Sequence, residues 1–411
     1  GVWVDYAQGN WSEGLTAYLA DHWMQERRGK GHEYRLKALQ RYSNFAANGN
    51  DAPLLDFVSR HNDASQSIGY SKSLMLFHKL RRELGDEAFV AGLRRLWGEH
   101  RFEHIGFEQA VKTLIGPRRD LQRRASTWLQ REGAPRLKLD RAQTNRTASG
   151  YRLDFTLRQD EPAFRVRVPV AVTREGSPEA EWHWVELDDT STDVSLALAT
   201  QPLRVDVDPA YDVLRYLDVS EQPPALNRLL GGEGWLIVPT GDAETQEAWE
   251  VLIEQWRKRY PSLRSTTDRE LNGLPIDADR IVLGWNNRLL EPAAAALRRT
   301  DQSLESAGAT LGEDFYTSEE HSVVLVNNDA TGRTTGFIGA ATPKAISAMA
   351  RKLPHYGSYG RLAFDAASGR NLRKDTLSSD HSSLSRQLAD RPIALRLPPS
   401  PVLGQTPSRP R

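Results

Sequence analysis

The sequence contains no cysteine. That absence excludes disulfides, thiolate metal sites and cysteine nucleophiles, and it leaves the redox compartment open. No apolar run approaches the roughly 18–20 residues that a membrane-spanning helix needs. A surplus of either charge is also missing, since 54 lysines and arginines stand against 54 aspartates and glutamates. Phosphate backbones are held by a basic excess, so no nucleic-acid partner is expected. The local pairs Arg118-Arg119 and Arg123-Arg124 read as a solvated helix face. The chain opens on Gly1-Val2-Trp3, with neither an initiator methionine nor a secretory pattern, and reads as a trimmed piece of a longer product. A soluble, bacterial-looking protein is expected, in periplasm or cytoplasm. There is no internal repeat, no Gly-x-Ser-x-Gly elbow and no phosphate-loop lysine.

What is present is enough for more than one core. The chain has 411 residues, 39% of them apolar and 26% charged, which is globular and predicts two or three domains. Residues 1–135 carry helical spacing, as in Leu15-Tyr18-Leu19-Trp23 and Leu74-Phe77-Leu80-Leu84. Gly85 fits a helix end and Asp86-Glu87 the start of the next. Residues 136–222 change to a period of two, in Leu137-Leu139, Tyr151-Leu153-Phe155-Leu157, Val166-Val168-Val170-Val172 and Val194-Leu196-Leu198, which predicts a small β-sandwich. Residues 223–390 alternate apolar runs (Trp235–Val238, Ile281–Leu283, Val323–Val326) with helices at Ala243–Arg259 and Pro343–Leu353, which predicts an α/β layer domain. The remaining 391–411, rich in Pro, Ser and Arg, are expected to be disordered. The fold class is thus α+β and multidomain.

One segment carries chemistry: Asn10-Trp11-Ser12-Glu13-Gly14-Leu15-Thr16-Ala17-Tyr18. Taken alone, Glu13 is a helix-start carboxylate favoured by the helix dipole. A second segment, Gly69-Tyr70-Ser71-Lys72-Ser73, opens a helix that ends before Gly85-Asp86-Glu87-Ala88-Phe89. A third, Val205-Asp206-Val207-Asp208-Pro209-Ala210-Tyr211-Asp212-Val213 followed by Arg215, leaves the β region.

In this order the three segments resemble the aminopeptidase N family, the gluzincin zinc peptidases. The resemblance covers residues 1 to about 220 and makes the first 135 residues the helical half of a gluzincin catalytic domain. It implies that Glu13 is the third zinc ligand, after two histidines. Two imidazoles and one carboxylate leave the metal one open position for water. It also implies that the Tyr70 hydroxyl donates to the tetrahedral oxyanion, where a neutral phenol stabilises developing charge without competing for metal. Ser73 stands where the family has glycine. Asp21 and His22 receive no role.

The His-Glu-x-x-His helix that should supply the two histidines is missing. Only 12 residues precede Glu13, too few for the family's spacing, so the motif would lie just upstream of Gly1. His32-Glu33 lacks the second histidine, lies on the wrong side of Glu13 and reads as surface loop. The substrate-amine motif Gly-x-Met-Glu-Asn is absent as well. The expectation is therefore a C-terminal portion of a zinc aminopeptidase acting on peptide or protein N-termini. Zn²⁺ belongs to the full-length enzyme, the isolated chain is inactive and metal-free, and its natural partner is the upstream half of the catalytic domain. The alternative is a non-catalytic chain that binds peptides or partners. In the last domain, Gly284-Trp285-Asn286-Asn287 and Val326-Asn327-Asn328-Asp329 follow strands, where a ligand or a polar turn fits. His355–Gly360 reads as a tight turn, and Asp380-His381-Ser382-Ser383 places a histidine beside two serines without making a triad.

Overall fold

The structure, a computed structural model, describes residues 1–46, 49–329, 332–379 and 382–404. Helix and sheet are mixed, in several separate sheets. The described residues form two compact units, one from residues 1–218 with the chain end from 382 onward, the other from residues 219–379.

In the first unit, the helices Gly31–Phe45, Ser73–Leu84, Asp86–His100, Phe107–Ile115 and Arg119–Gln130 follow the apolar spacing of the sequence. Gly85 ends one helix and begins the next at φ +83°, a conformation in which a side chain is strained. Two antiparallel sheets follow. One joins Leu137–Thr147, Gly150–Gln159 and Ser191–Leu198; the other runs Ser385–Gln387, Pro202–Val207, Val166–Arg174, Glu181–Leu187. Alternation puts Leu153, Phe155 and Leu157, with Val166, Val168, Val170 and Val172, inside.

Residues 1–135 and 136–222 were expected as separate domains, yet helices and sheets here share one apolar core that runs from Val4 to Leu217 and takes in Leu384 and Leu403. At the junction Trp128 of the last helix meets Phe164 with ring centroids 4.7 Å apart.

The chain end differs from expectation. Residues 391–404 have no helix or strand, as their composition suggests, but they are docked rather than disordered. The reason is hydrogen bonding by buried groups that need partners. Trp23 Nε1 donates to the Leu403 carbonyl (3.1 Å) and Arg81 Nη2 to that of Pro401 (3.2 Å), while Leu403 N donates to Glu26 (3.1 Å). Upstream, strand Ser385–Gln387 closes the edge beside Pro202–Val207. The second unit is therefore an insertion between two stretches of the first.

The second unit centres on a seven-stranded sheet, in the order Leu263–Thr267, Gly234–Val238, Asp279–Leu283, Thr334–Gly339, His321–Asn328, Arg361–Asp365, Asn371–Asp375. The first four strands are mutually parallel and the last three pair antiparallel. Its central runs are apolar on both faces, with Ile281, Val282 and Leu283 and Val323 through Val326 at or below 1% exposure. Helix Ala243–Arg259 meets helix Pro343–Lys352, where Trp256 Nε1 donates to the Ala350 carbonyl (2.9 Å). A three-stranded meander, Gln302–Glu305, Gly308–Leu311 and Asp314–Thr317, adds Leu304, Ala309, Leu311 and Tyr316 to the core under helix Leu290–Leu297.

Candidate functional site

Each residue of the Asn10–Tyr18 segment has a physical task. Asn10 is buried; its amide donates to the Val58 carbonyl (3.0 Å) and its oxygen accepts from Ser12 N (3.2 Å) and Oγ (2.8 Å). That is a local Asx-type turn that leads the chain into the helix opening at Ser12. Trp11 buries its indole and donates to the Ile105 carbonyl (3.0 Å). The helix runs Ser12–Thr16, continues through a π-helical stretch Ala17–His22, and ends with Trp23–Glu26. Gly14 faces Ser73 so closely that a Cβ on it would lie 2.0 Å from the serine Oγ. Glycine is required there, and the two helices meet at that point.

The second helix is built in parallel fashion. Asn62 and Ser65 form a capping box at the start of Asp63–Gln66; a π-helical stretch, Ser67–Lys72, follows and runs into Ser73–Leu84. Tyr70 stands in the π-helical stretch, a distortion that is common at functional sites. Lys72, two residues on, is fully buried. Its ammonium donates to Asp51 (2.8 Å) and to the carbonyls of Ala52 (3.0 Å) and Arg131 (3.3 Å). Burial lowers the Lys72 pKa and the Asp51 carboxylate opposes the shift. Asp51 also accepts from Tyr42 (2.7 Å). The lysine of the Tyr-x-Lys pattern is thus the anchor of the helix that presents Tyr70. Reading of the sequence assigned it no role, because nothing near it in sequence marks Asp51 as its partner.

The two candidate residues come together. Glu13 and Tyr70 are both half-buried. The Tyr70 hydroxyl is pushed above its usual pKa first by burial, then by hydrogen bonding to Glu13 and by the Glu13 charge, with the exposed Arg60 pulling the other way. A phenol so placed stays protonated at neutral pH and keeps its hydrogen to donate. Among the described residues no group of three or more His, Asp or Glu side chains is placed to hold a metal ion. One carboxylate and one phenol do not make a zinc site, which needs three protein ligands. His32 and Glu33 are exposed in the first turn of helix Gly31–Phe45 rather than in a loop.

Behind these helices lies a polar network that the sequence did not reveal. The His78 ring accepts at Nδ1 from the Tyr18 hydroxyl (3.0 Å) and donates from Nε2 to Asp212 (2.9 Å), the assignment that a carboxylate partner imposes. Arg35 donates to His22 Nε2 (2.8 Å), pairs with Asp212 (3.0 Å) and donates to the Ala210 carbonyl (2.8 Å). Arg81 binds Glu26 (2.7 Å), Asp86 (2.7 Å) and the Tyr18 oxygen (3.2 Å). Burial, helped by neighbouring cations, lowers His78 to about 3 and His22 to about 2. Both rings are neutral at pH 7. Asp212 is held well below the carboxylate range by Arg35, His78 and Arg82, against its burial. Asp208 rises to about 6 through burial, although Arg215 lies 2.7 Å away. Asp208 and Tyr211 adopt φ +50° and +56°, and Asp208 Oδ1 caps the turn by accepting from Asp212 N (2.7 Å) and Val213 N (3.2 Å). The Asp208–Arg215 segment is thereby bent so that Asp212 reaches the helices.

In the second unit the loop candidates are structural pins. Asn287 donates to the Ile237 and Leu283 carbonyls (3.0 Å each) and accepts from Leu289 N (2.9 Å). Asn327 donates to Ala296 O (3.0 Å) and Asn328 to Gln222 O (3.1 Å). Of the Asp380–Ser383 string, Asp380 and His381 lie outside the described residues.

No family model and no curated protein matches the chain. Among solved structures it is similar to Legionella pneumophila aminopeptidase A in complex with aspartic acid, with 12% identity and a TM-score of 0.34. The likeness covers 53% of this chain and 24% of that one, so the chain spans about a quarter of that protein's length. At such values it fixes neither fold nor activity.

Proposed function

We propose that residues 1–218 form the C-terminal part of a zinc-dependent metallopeptidase of the aminopeptidase type, one that hydrolyses peptide bonds at peptide or protein N-termini. The observation that carries this reading is the packing of the Glu13 helix on the Tyr70 helix at the Gly14–Ser73 contact, which brings near each other two residues 57 positions apart that the sequence patterns single out independently. Glu13 would supply one carboxylate to the metal. Two imidazoles would come from sequence outside these residues, in the other half of the catalytic domain. The chain's own contribution to the chemistry is the Tyr70 phenol. It is held by the Lys72 anchor and kept neutral, and it would donate a hydrogen bond to the oxyanion as negative charge develops.

The test is metal content and aminoacyl-amide hydrolysis for two proteins: this 411-residue chain, and the chain extended upstream by its native coding sequence. The longer protein should hold one zinc per chain and hydrolyse substrate. Glu13→Ala should lose both, whereas Tyr70→Phe should keep zinc and lose about 10²–10³-fold in kcat. If neither protein holds zinc, the alternative stands: a chain of this family that binds peptides or partners without cutting them.

A further inference from the structure

Within the first unit, a recess open to solvent lies between helix Ser73–Leu84, helix Arg119–Gln130 and strands Val166–Arg174 and Glu181–Leu187. The Glu13–Tyr70 pair is not among its walls. Its polar groups are arranged in an unusual way. Arg82 and Arg167 both stand over the indole of Trp184, with guanidinium carbons 5.3 and 4.7 Å from the ring centroid. Each is ion-paired with an acid: Arg82 Nε lies 3.6 Å from Asp212 and Arg167 Nε lies 3.4 Å from Glu186. Both arginines are exposed, and neither guanidinium makes a hydrogen bond to another described side chain or backbone group, so each has donors left for an oxyanion.

The next residue on the helix is an acid in the complementary state. Glu83 pairs through Oε1 with Lys79, whose ammonium sits 5.7 Å from the ring centroid of buried Trp128. Its Oε2 is buried without a hydrogen-bond partner, and Arg124 Nη2 is 4.0 Å away. An orphaned carboxylate oxygen at a cavity wall costs free energy unless a donor arrives. Trp184, which lines the recess, is 37% exposed, so part of its indole stays open beside the two guanidiniums.

We propose that this recess binds a small zwitterion, an α-amino acid with an aromatic or apolar side chain. Its carboxylate would take the guanidinium donors of Arg82 and Arg167, its ammonium the Glu83 oxygen that lacks a hydrogen-bond partner, and its side chain the exposed part of the Trp184 indole. An inorganic anion would leave the Glu83 oxygen without a donor, and a simple amine would add a further cation beside Arg82 and Arg167. The proposal does not depend on the peptidase reading, since it uses none of the same residues.

The experiment is titration calorimetry of the full chain with three probes: L-phenylalanine, 3-phenylpropionate (no ammonium) and 2-phenylethylamine (no carboxylate). L-Phenylalanine should bind at least about tenfold more tightly than either of the others, the effect of one charge-assisted pair. Arg82→Gln and Arg167→Gln should each weaken L-phenylalanine about tenfold or more. Glu83→Gln should weaken L-phenylalanine and leave 3-phenylpropionate unchanged. Arg82→Lys keeps the charge and the fold but loses the fork, so it should still weaken L-phenylalanine while its thermal unfolding stays that of the parent. No binding of L-phenylalanine, equal binding of 3-phenylpropionate, or indifference to all the Arg82, Arg167 and Glu83 variants would overturn the proposal. So would loss of binding in Glu13→Ala alone, which would move the ligand to the other site.

Discussion

In the unit built on residues 1–218, Arg81 and Glu26 meet 2.7 Å apart inside the helical layer, at 2% and 7% exposure, with Tyr18, His78, Asp212, Arg35 and His22 linked beyond them. In the seven-stranded sheet of the other unit, the buried charges stand at strand ends. Asp279 and Arg280 are the first two residues of their strand, Arg361 is the first of its own, and Asp268 follows Leu263–Thr267 directly. There Asp268 ties three loops by accepting from Thr240 N (3.1 Å), Thr240 Oγ1 (2.9 Å) and Arg288 N (2.9 Å). One unit places its charges where apolar packing would be cheaper, and the other keeps them at the rim. A buried ionic network seldom adds stability over an apolar core, but losing one member is severe. The first unit is therefore the one whose geometry, including the placement of the Glu13 and Tyr70 helices, depends on charge.

The largest effect that sharpens this contrast is expected from Arg81→Ala. It strands Glu26 and removes the partner of Asp86 and of the Pro401 carbonyl, and should destabilise the first unit by about 3–5 kcal/mol. Asp268→Ala at the sheet rim, which leaves two loop N–H groups and one hydroxyl without an acceptor, should cost about 1–3 kcal/mol. Denaturant unfolding gives the size of each effect, and hydrogen exchange of the full chain gives its place. Equal losses in the two variants would break the comparison.

Acid should separate the units next. His22 and His78 have folded pKa values near 2 and 3, far below the usual histidine value of about 6.5. As pH falls below about 6.5, the unfolded chain takes up two protons that the folded unit refuses, so stability falls. Asp208 acts in the opposite sense. Its folded pKa, near 6, exceeds the ordinary value of about 3.8, so between those values the folded unit takes up one proton first. The net is about one proton more on the unfolded chain, or up to about 1.4 kcal/mol lost per pH unit between pH 6 and 4. Asp212, with its lowered pKa, extends the loss to lower pH. Hydrogen exchange at pH 6 and pH 4.5, corrected for intrinsic rates, should show protection falling first in Ser73–Leu84 and later in His321–Asn328. Protection falling in step in both segments would contradict the assignment.

Regular elements were largely legible because each rests on local physics. Ala243–Arg259 and the run Trp235–Val238 follow from period and caps alone. The short meander at Gln302–Thr317 was not, since strands of four residues carry too little alternation to register. The docking of residues 391–404 was illegible for a different reason. The segment has no apolar period of its own and is held by its backbone carbonyls and by Leu403, so the signal lies in its partners Trp23, Glu26 and Arg81. The candidate site was half legible. Glu13, Gly14 and Tyr70 stand out by pattern, whereas Asp51, His78 and Asp212 act through contacts 21, 60 and 134 residues distant in sequence.

The smallest effect tests the contact that joins the two site helices, and it comes in a pair. Gly14→Ala places a methyl 2.0 Å from Ser73 Oγ and 2.3 Å from its Cβ, inside any permitted contact, and 2.9 Å from the Ser73 carbonyl carbon. The serine cannot swing away into space, because its side chain is fully buried and its hydroxyl already lacks a partner. Overpacking of this kind costs about 1–3 kcal/mol and pushes the helices apart. Ser73→Gly removes the obstructing atoms and adds helix flexibility worth about 1 kcal/mol. If the contact sets the helix spacing, the double variant should be more stable than Gly14→Ala alone, a coupling of about 1 kcal/mol or more that independent sites do not show. Additive losses would mean that the Ser73 backbone, 2.9 Å from the added methyl, and not its side chain, limits the approach of the two helices.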